Sequence, residues 1–257
     1  MPYDLSGRVA LVTGATRLIG IGAAICRSLA SYGADIAFTS FAAYDSAMYK
    51  TDVSEPDQLL AELRGMGVRA THLPWDLEPA DTLPALLDRV EEELGPLTIL
   101  VNNAAYSTRD GWEHLRSDEL DRHYHVNARA TAILSVEFCR RFQGDAGGRI
   151  INFSSGQQLG AMSEELAYAM SKAAIVTFTQ SLAPAVMGRG ITVNAVNPGV
   201  TDTGWIDDEL GAALLPMMPA GRFGTPEDAA RVVTWLASDE AAWITGQVIN
   251  SEGGFLR

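Results

Sequence analysis

Basic residues are scarce in this chain: 19 Lys plus Arg stand against 32 Asp plus Glu, a formal net charge of −13 over 257 residues. That balance argues against nucleic acid or an anionic membrane as a partner, because both attract cationic surfaces. Cysteine is rarer still: Cys26 and Cys139 are too few for a disulfide framework, and each falls in an apolar helical pattern where a small buried side chain is expected. No apolar run approaches the roughly 18 residues of a membrane span. The opening Met1-Pro2-Tyr3-Asp4 lacks a basic segment followed by an apolar stretch, so a cytoplasmic location is expected. Of four histidines, His123 and His125 lie two apart on a predicted helix and project in different directions, unlike the four-residue spacing of a helical zinc pair. His72 and His114 have no ligand partners near them in sequence, and no metal is predicted. Internal repeats and low-complexity linkers are also missing, so residues 1–257 read as a single domain. At 47% hydrophobic the chain has enough apolar material for a large core.

What is present is a regular alternation of apolar strands and helical patterns. Strands are predicted near Val9 to Thr13, Asp35 to Ser40, Arg69 to Leu73, Leu97 to Asn102, Arg149 to Phe153, Thr192 to Asn197 and Gln247 to Ile249. Six helical stretches lie between them. This order predicts an α/β fold: a Rossmann-like, doubly wound parallel sheet of seven strands with helices on both faces and right-handed crossovers. The segment from Gly199 to Pro219 reads as a loop with one short helix, the kind of excursion that carries specificity on such scaffolds.

Two segments carry chemistry. In the first, Ser155 stands just beyond the strand Arg149-Ile150-Ile151-Asn152-Phe153-Ser154, and Tyr168-Ala169-Met170-Ser171-Lys172 follows. Tyr168 and Lys172 are four apart and so share one helix face. A lysine beside a phenol favours the phenolate and brings a group of ordinary pKa about 10 toward the range of proton transfer. Ser155, at the carboxyl end of a strand, lies where open α/β sheets bind ligands. In the second segment, the strand Arg8-Val9-Ala10-Leu11-Val12-Thr13 runs into Gly14, then Gly20 and Gly22, and then a helical pattern to Tyr32. A glycine loop between strand and helix lets backbone amides and the helix N-terminus approach a pyrophosphate.

Taken in order along nearly the whole chain, these segments resemble the short-chain dehydrogenase/reductase family, closest to its 3-oxoacyl-(acyl-carrier-protein) reductase-like members. The resemblance also draws on Trp75-Asp76-Leu77, Asn102-Asn103-Ala104-Ala105, Asn127, Asn197-Pro198-Gly199 and the tail Gly246-Gln247-Val248-Ile249-Asn250 with Gly253-Gly254. It implies catalytic roles for Asn127, Ser155, Tyr168 and Lys172. Tyr168 exchanges a proton with the substrate oxygen and Ser155 hydrogen-bonds that oxygen. Lys172 binds nicotinamide ribose hydroxyls and depresses the Tyr168 pKa, and Asn127 holds a water that returns protons through Lys172. It further implies a dinucleotide site made by Gly14, Arg17, Gly20, Gly22, Ser40, Asp76, Leu77, Asn103, Ala104, Tyr168, Lys172, Pro198, Gly199 and Thr201, and a mobile lid in the Gly199 to Pro219 segment.

The chain departs from the family pattern in two places. Five residues separate Gly14 from Gly20 where three are usual, which is read as a two-residue insertion because Gly20-Ile21-Gly22 then enters the helix in register; the alternative pairs Leu18 with the middle glycine. Ala105 replaces a common glycine, a change that negative φ tolerates. Ser40 falls where NAD-dependent relatives carry an acid, and Arg17 where NADP-dependent relatives often carry a base. NADP(H) is therefore favoured, with NAD(H) kept open because Asp45 lies in the following loop.

The expected reaction interconverts a ketone and a secondary alcohol, with a 3-oxoacyl thioester as one substrate and a sugar, steroid or cyclic alcohol as the alternative. A non-catalytic dinucleotide-binding sensor is the competing class. Trp112, Trp205, Met217 and Met218 are candidates for an apolar substrate pocket. The partners implied are a small carbonyl or alcohol substrate, neither nucleic acid nor membrane, and further copies of the chain in a homotetramer built on the helices before and containing Tyr168 and on the final strand and tail.

Overall fold

The computed structural model describes residues 3–49 and 52–256. Its seven strands, β1 (Val9–Val12), β2 (Asp35–Ser40), β3 (Ala70–Pro74), β4 (Ile99–Asn102), β5 (Gly148–Phe153), β6 (Ile191–Asn197) and β7 (Val248–Asn250), form one sheet in the order β3-β2-β1-β4-β5-β6-β7. Every neighbouring pair is parallel. All seven expected strands are found, with ends displaced by a residue or two. β1 stops at Val12, and β4 starts at Ile99, just after Thr98, whose N–H donates to the Val9 carbonyl at 3.0 Å.

The helices are α1 (Ile21–Ser31), α2 (Ala42–Tyr49), α3 (Glu55–Gly65), α4 (Leu83–Leu94), α5 (Gly111–His114), α6 (Ser117–His123), α7 (Thr131–Arg141), α8 (Leu166–Val186), α9 (Asp208–Leu214) and α10 (Pro226–Ala237). Each of the six expected crossovers is helical. Those after β2, β4 and β6 are subdivided, and a π-helical stretch, Tyr124–Ala130, joins α6 to α7. The Gly199 to Pro219 segment does contain one short α-helix, α9.

Alternation along the strands sorts side chains into two cores. From β1, Ala10 and Val12 pack toward the layer of α1, α3 and α10 with Ile25, Leu29, Phe38, Leu59 and Val233. Val9 and Leu11 turn to the other layer with Leu86, Leu87, Leu134, Phe138 and Ile150, beneath α4, α7 and α8. Both faces of β1 are apolar because both are covered. β1 pairs with β2 on one side and β4 on the other, so strand order reverses there and a crevice opens at the carboxyl ends.

One polar chain crosses the second core. The Asn102 amide donates to the Ser135 hydroxyl (3.1 Å) and to Asn152 Oδ1 (2.9 Å), and Asn152 Nδ2 donates to the Thr179 hydroxyl (2.9 Å). All four residues are buried, so the network ties α7, β4, β5 and α8 together with partners that water cannot replace. Asn152→Ala leaves one Asn102 amide N–H and the Thr179 hydroxyl unpaired; at about 1–3 kcal/mol for each orphaned group, a loss of about 2–6 kcal/mol is expected in urea unfolding. A loss below about 1 kcal/mol shows that the network is not holding α8 to the sheet.

Candidate active site

The glycine loop is shaped by backbone contact. Gly14 has φ +72°, and a Cβ there would stand 2.7 Å from the Ala104 Cα. A Cβ on Gly22 would collide with the Gly14 carbonyl oxygen and lie 2.9 Å from the Asn103 amide nitrogen. Gly20 is the N-cap of α1, so Gly20-Ile21-Gly22 enters the helix in the register read as a two-residue insertion. The longer loop is held by a carboxylate: Glu55 accepts from the Leu18 N–H at 2.7 Å. Asn103 braces it from just beyond β4, its amide donating to the Thr13 and Gly14 carbonyls at 2.9 and 2.8 Å.

Beside this loop lies a cleft of about 530 Å³, lined by Gly14, Arg17, Gly20, Gly22, Ser40, Asp76, Leu77, Asn103 and Ala104, all expected at the dinucleotide site. Tyr44, Tyr49, Tyr106 and Thr203 line it too. Pro198, Gly199 and Thr201 do not: the Thr201 hydroxyl bonds the Pro198 carbonyl at 2.9 Å, and Gly199, at φ +65°, packs against Glu252. Ser40 is buried and shares a 2.7 Å hydrogen bond with His72 Nε2, so its hydroxyl already has a partner. Arg17 reaches across the cleft. It donates to the Thr203 carbonyl and hydroxyl at 2.8 and 3.2 Å, stacks 3.8 Å above the Tyr49 ring and lies 4.0 Å from Asp45. Burial raises the Asp45 pKa from the usual carboxylate range against the opposing pull of Thr16 and Arg17.

Past Tyr106 stand the proposed proton-transfer residues. The Tyr106 and His123 rings lie 4.8 Å apart, and His123 lies 6.4 Å from the Tyr168 ring. Tyr168 and Lys172 both sit on α8, with the Lys172 ammonium 5.6 Å from the phenol ring centroid. Lys172 is buried and donates to the Phe153 carbonyl at the end of β5 (2.9 Å). Ser155 follows that strand end, close enough to the Tyr168 phenol for its hydroxyl to hold the phenol's pKa down. Asn127 lies in the π-helical stretch, where the widened turn frees it to accept from the Tyr106 N–H (2.7 Å) and donate to the Tyr106 carbonyl (2.8 Å) and the Ser171 hydroxyl (2.9 Å). Its side chain is thus a clamp on the loop after β4.

The electrostatics depart from the expected pattern. Burial dominates at Tyr168 and pushes its pKa up to about 12, with the Glu165 charge adding to the rise and Ser155 opposing it. Lys172 is no cause of a fall. Burial instead pushes its own pKa down to about 8. Desolvation of the ammonium outweighs its attraction for the phenolate.

Several site residues carry no motif. Asp110, which accepts from the first N–H groups of α8, and Tyr106, Tyr44, Glu55 and Thr203 act through contacts between segments apart in sequence, and among them only the Thr-Arg-Asp run of residues 108–110 stands close enough to a quoted motif to draw notice. Trp205 donates to the Thr201 carbonyl at 2.8 Å, a structural bond, and Trp112 is largely exposed. No cluster of three or more metal-ligating side chains occurs among the described residues, nor is any of their helices long and apolar enough to cross a membrane.

A family model described as Enoyl-(Acyl carrier protein) reductase matches residues 14–256. The chain is 47% identical over 252 residues to "Uncharacterized oxidoreductase YjdA" of Bacillus subtilis, covering 97% of each. It is 36% identical over 256 residues to the 3-oxoacyl-[acyl-carrier-protein] reductase FabG of Pseudomonas aeruginosa, covering 98% of each. Among solved structures it superimposes with a TM-score of 0.87 at 34% identity on a short chain dehydrogenase from Burkholderia cenocepacia in complex with NADP, covering 98% of each chain.

The depressed Lys172 pKa has a sign that can be tested. Between about 8 and the ordinary 10.5 the unfolded chain binds a proton at Lys172 that the folded chain does not, so stability from this group rises with pH across that window, by up to about 1.4 kcal/mol per unit. Below it, the full cost of burying the charge is present. The difference in urea stability between wild type and Lys172→Met, followed from pH 7 to 10 without cofactor, is expected to grow in favour of wild type; a difference flat with pH refutes the assignment.

Proposed function

As a member of the short-chain dehydrogenase/reductase family, the chain is an oxidoreductase, and we propose that it interconverts a ketone and a secondary alcohol with NADP(H). The observation that carries this reading is the convergence of Ser155, Tyr168 and Lys172 beyond a glycine-lined cleft. The cradle fits a dinucleotide: at Gly14 and Gly22 side chains are sterically excluded, and the amino end of α1 points at the same space. Gly14, Gly20 and Gly22 would hold the pyrophosphate, Asp76 and Leu77 the adenine, and Asn103, Ala104 and Lys172 the nicotinamide half. When bound, the nicotinamide supplies hydride to the carbonyl carbon.

The residues do the rest. With its pKa pushed up to about 12, Tyr168 keeps its proton at neutral pH, so in the absence of cofactor it is set to donate to a carbonyl oxygen rather than to withdraw a proton from an alcohol. Ser155 bonds the same oxygen. Lys172, fixed by the Phe153 carbonyl, places a cation beneath the phenol whose influence grows as the site closes and water leaves. Asn127 would serve the relay by holding the loop after β4 and, through Ser171, the helix carrying Tyr168 and Lys172.

NADP(H) is favoured over NAD(H) because Ser40 leaves no acid at the end of β2 and Arg17 places a guanidinium in the cleft; the Burkholderia relative was solved with NADP. A 3-oxoacyl thioester is the first substrate to test, given the FabG relative. A small neutral ketone is the second reading. The net charge of −13, with Glu165 close enough to Tyr168 to raise its pKa, disfavours docking of an acidic acyl carrier. We also propose a homotetramer, supported by the exposed apolar side chains of Tyr124, Met170 and Trp243.

NADPH oxidation against acetoacetyl thioesters, β-ketoesters and cyclic ketones is expected to show turnover, with Tyr168→Phe reducing kcat by about 10²- to 10⁴-fold at unchanged NADPH affinity. Unaltered kcat in that variant removes the mechanism, and tight cofactor binding without turnover on any ketone favours a sensor. Arg17→Ala is expected to weaken NADPH binding about tenfold, the equivalent of about 1.4 kcal/mol, and to leave NADH binding within twofold; equal losses for both cofactors overturn the assignment of Arg17 to the 2′-phosphate.

A further inference from the structure

The catalytic helix begins without a cap of its own. Glu165, the N-cap of α8, makes no side-chain bond to the helix, although the first N–H groups of a helix have no intrahelical acceptors. Ala167 is fully buried, so water cannot serve in their place. A carboxylate from a distant loop does. Asp110 Oδ1 accepts from the Leu166 N–H at 2.7 Å and Oδ2 from the Ala167 N–H at 2.9 Å, and the Asp110 N–H donates to the Glu164 carbonyl at 2.9 Å. Asp110 is itself buried. Its negative charge also lies where the helix dipole favours an anion.

The loop that carries Asp110 is fixed along its length. Asn127 holds Tyr106 by both backbone groups. The Tyr44 hydroxyl accepts from the Ser107 N–H (3.1 Å) and donates to the Ser107 carbonyl (3.2 Å). His123 Nε2 accepts from the Thr108 N–H at 3.2 Å. The loop lines the cleft at Asn103, Ala104, Ala105 and Tyr106 and ends bolted to α8, one residue before Tyr168. We propose that Asp110 is a positioning residue: by holding the amino end of α8 with both carboxylate oxygens, it sets the place of Tyr168 relative to the cofactor cleft. This rests on the reading of Tyr168 as the proton donor. A first turn that frays displaces Tyr168, and a misplacement of about 1 Å can cost about a hundredfold in rate.

The test compares Asp110→Asn, which keeps one acceptor oxygen, with Asp110→Ala, which keeps none, each assayed well below its own Tm and normalised to folded protein by circular dichroism. kcat for ketone reduction is expected to fall about 10- to 100-fold in the alanine variant and less in the asparagine variant. NADPH affinity should stay within twofold, and the alkaline limb of the kcat profile should move. A merely structural cap lowers Tm and leaves kcat per folded molecule and the pH profile alone; that result overturns the proposal. Should Asp110→Ala fail to fold, Asp110→Asn alone decides on the same criteria.

Titration of the Tyr168 phenol by ¹³C NMR in cofactor-free protein, its signal assigned with Tyr168→Phe, separates this inference from the functional reading. If wild type reduces no ketone, the function falls while a displaced phenol titration in Asp110→Asn still supports the positioning role. Coincident titrations in variant and wild type overturn that role whatever the activity.

Discussion

The site is organised around a cation in a place that disfavours cations. Lys172 is enclosed between α8 and the end of β5, and among the described residues its hydrogen bond is to the Phe153 carbonyl. A buried ammonium with so little compensation tends to give up its proton, and its depressed pKa records that tension. The phenol above it is under the opposite pressure, held protonated by the same desolvation. Each group's charged form is what the other lacks. The pair therefore carries an electrostatic imbalance created by its own burial.

The surroundings of that pair are tied down by buried hydrogen bonds. The amide and hydroxyl chain from Ser135 to Thr179 secures α8 to the sheet from below, while Asn127 bonds Ser171 from the side. The loop after β4 holds the helix end. These are hydrogen bonds among buried groups, which are costly to break because water cannot take over. The opposite side of the cleft is built differently. There, Arg17 contacts Thr203, Tyr49 and Asp45 through a long side chain.

Most of the fold was legible in the sequence because its signals are local. Apolar runs located every strand, and glycine at positions 14, 20 and 22 marked a tight passage from strand to helix that the contacts of Gly14 and Gly22 explain. The spacing of Tyr168 and Lys172 put them on one helix face, as found. What escaped is long in range. The Asp110 cap joins residues 56 apart, the Arg17 bond to Thr203 spans 186 and the Ser40 bond to His72 spans 32; no periodicity encodes such pairs. The expected fall in the Tyr168 pKa failed for a related reason: spacing gives the distance between two groups along a helix, whereas the balance of charge depends on how much water the whole fold removes.

The strand order carries a consequence for how the molecule is made. β1 lies between β2 and β4, and its partner on the second side begins at Ile99, opposite Ala10. As the chain leaves the ribosome, β1, β2 and β3 can associate early, but one backbone edge of β1 stays unpaired until about a hundred residues have been synthesised. An unpaired strand edge is a template for association with other chains, and parallel pairing across such separations is slow. The nascent amino-terminal half is therefore the stage most exposed to aggregation, and substitutions that weaken β4 should lower the yield of folded protein before they alter its rate of turnover.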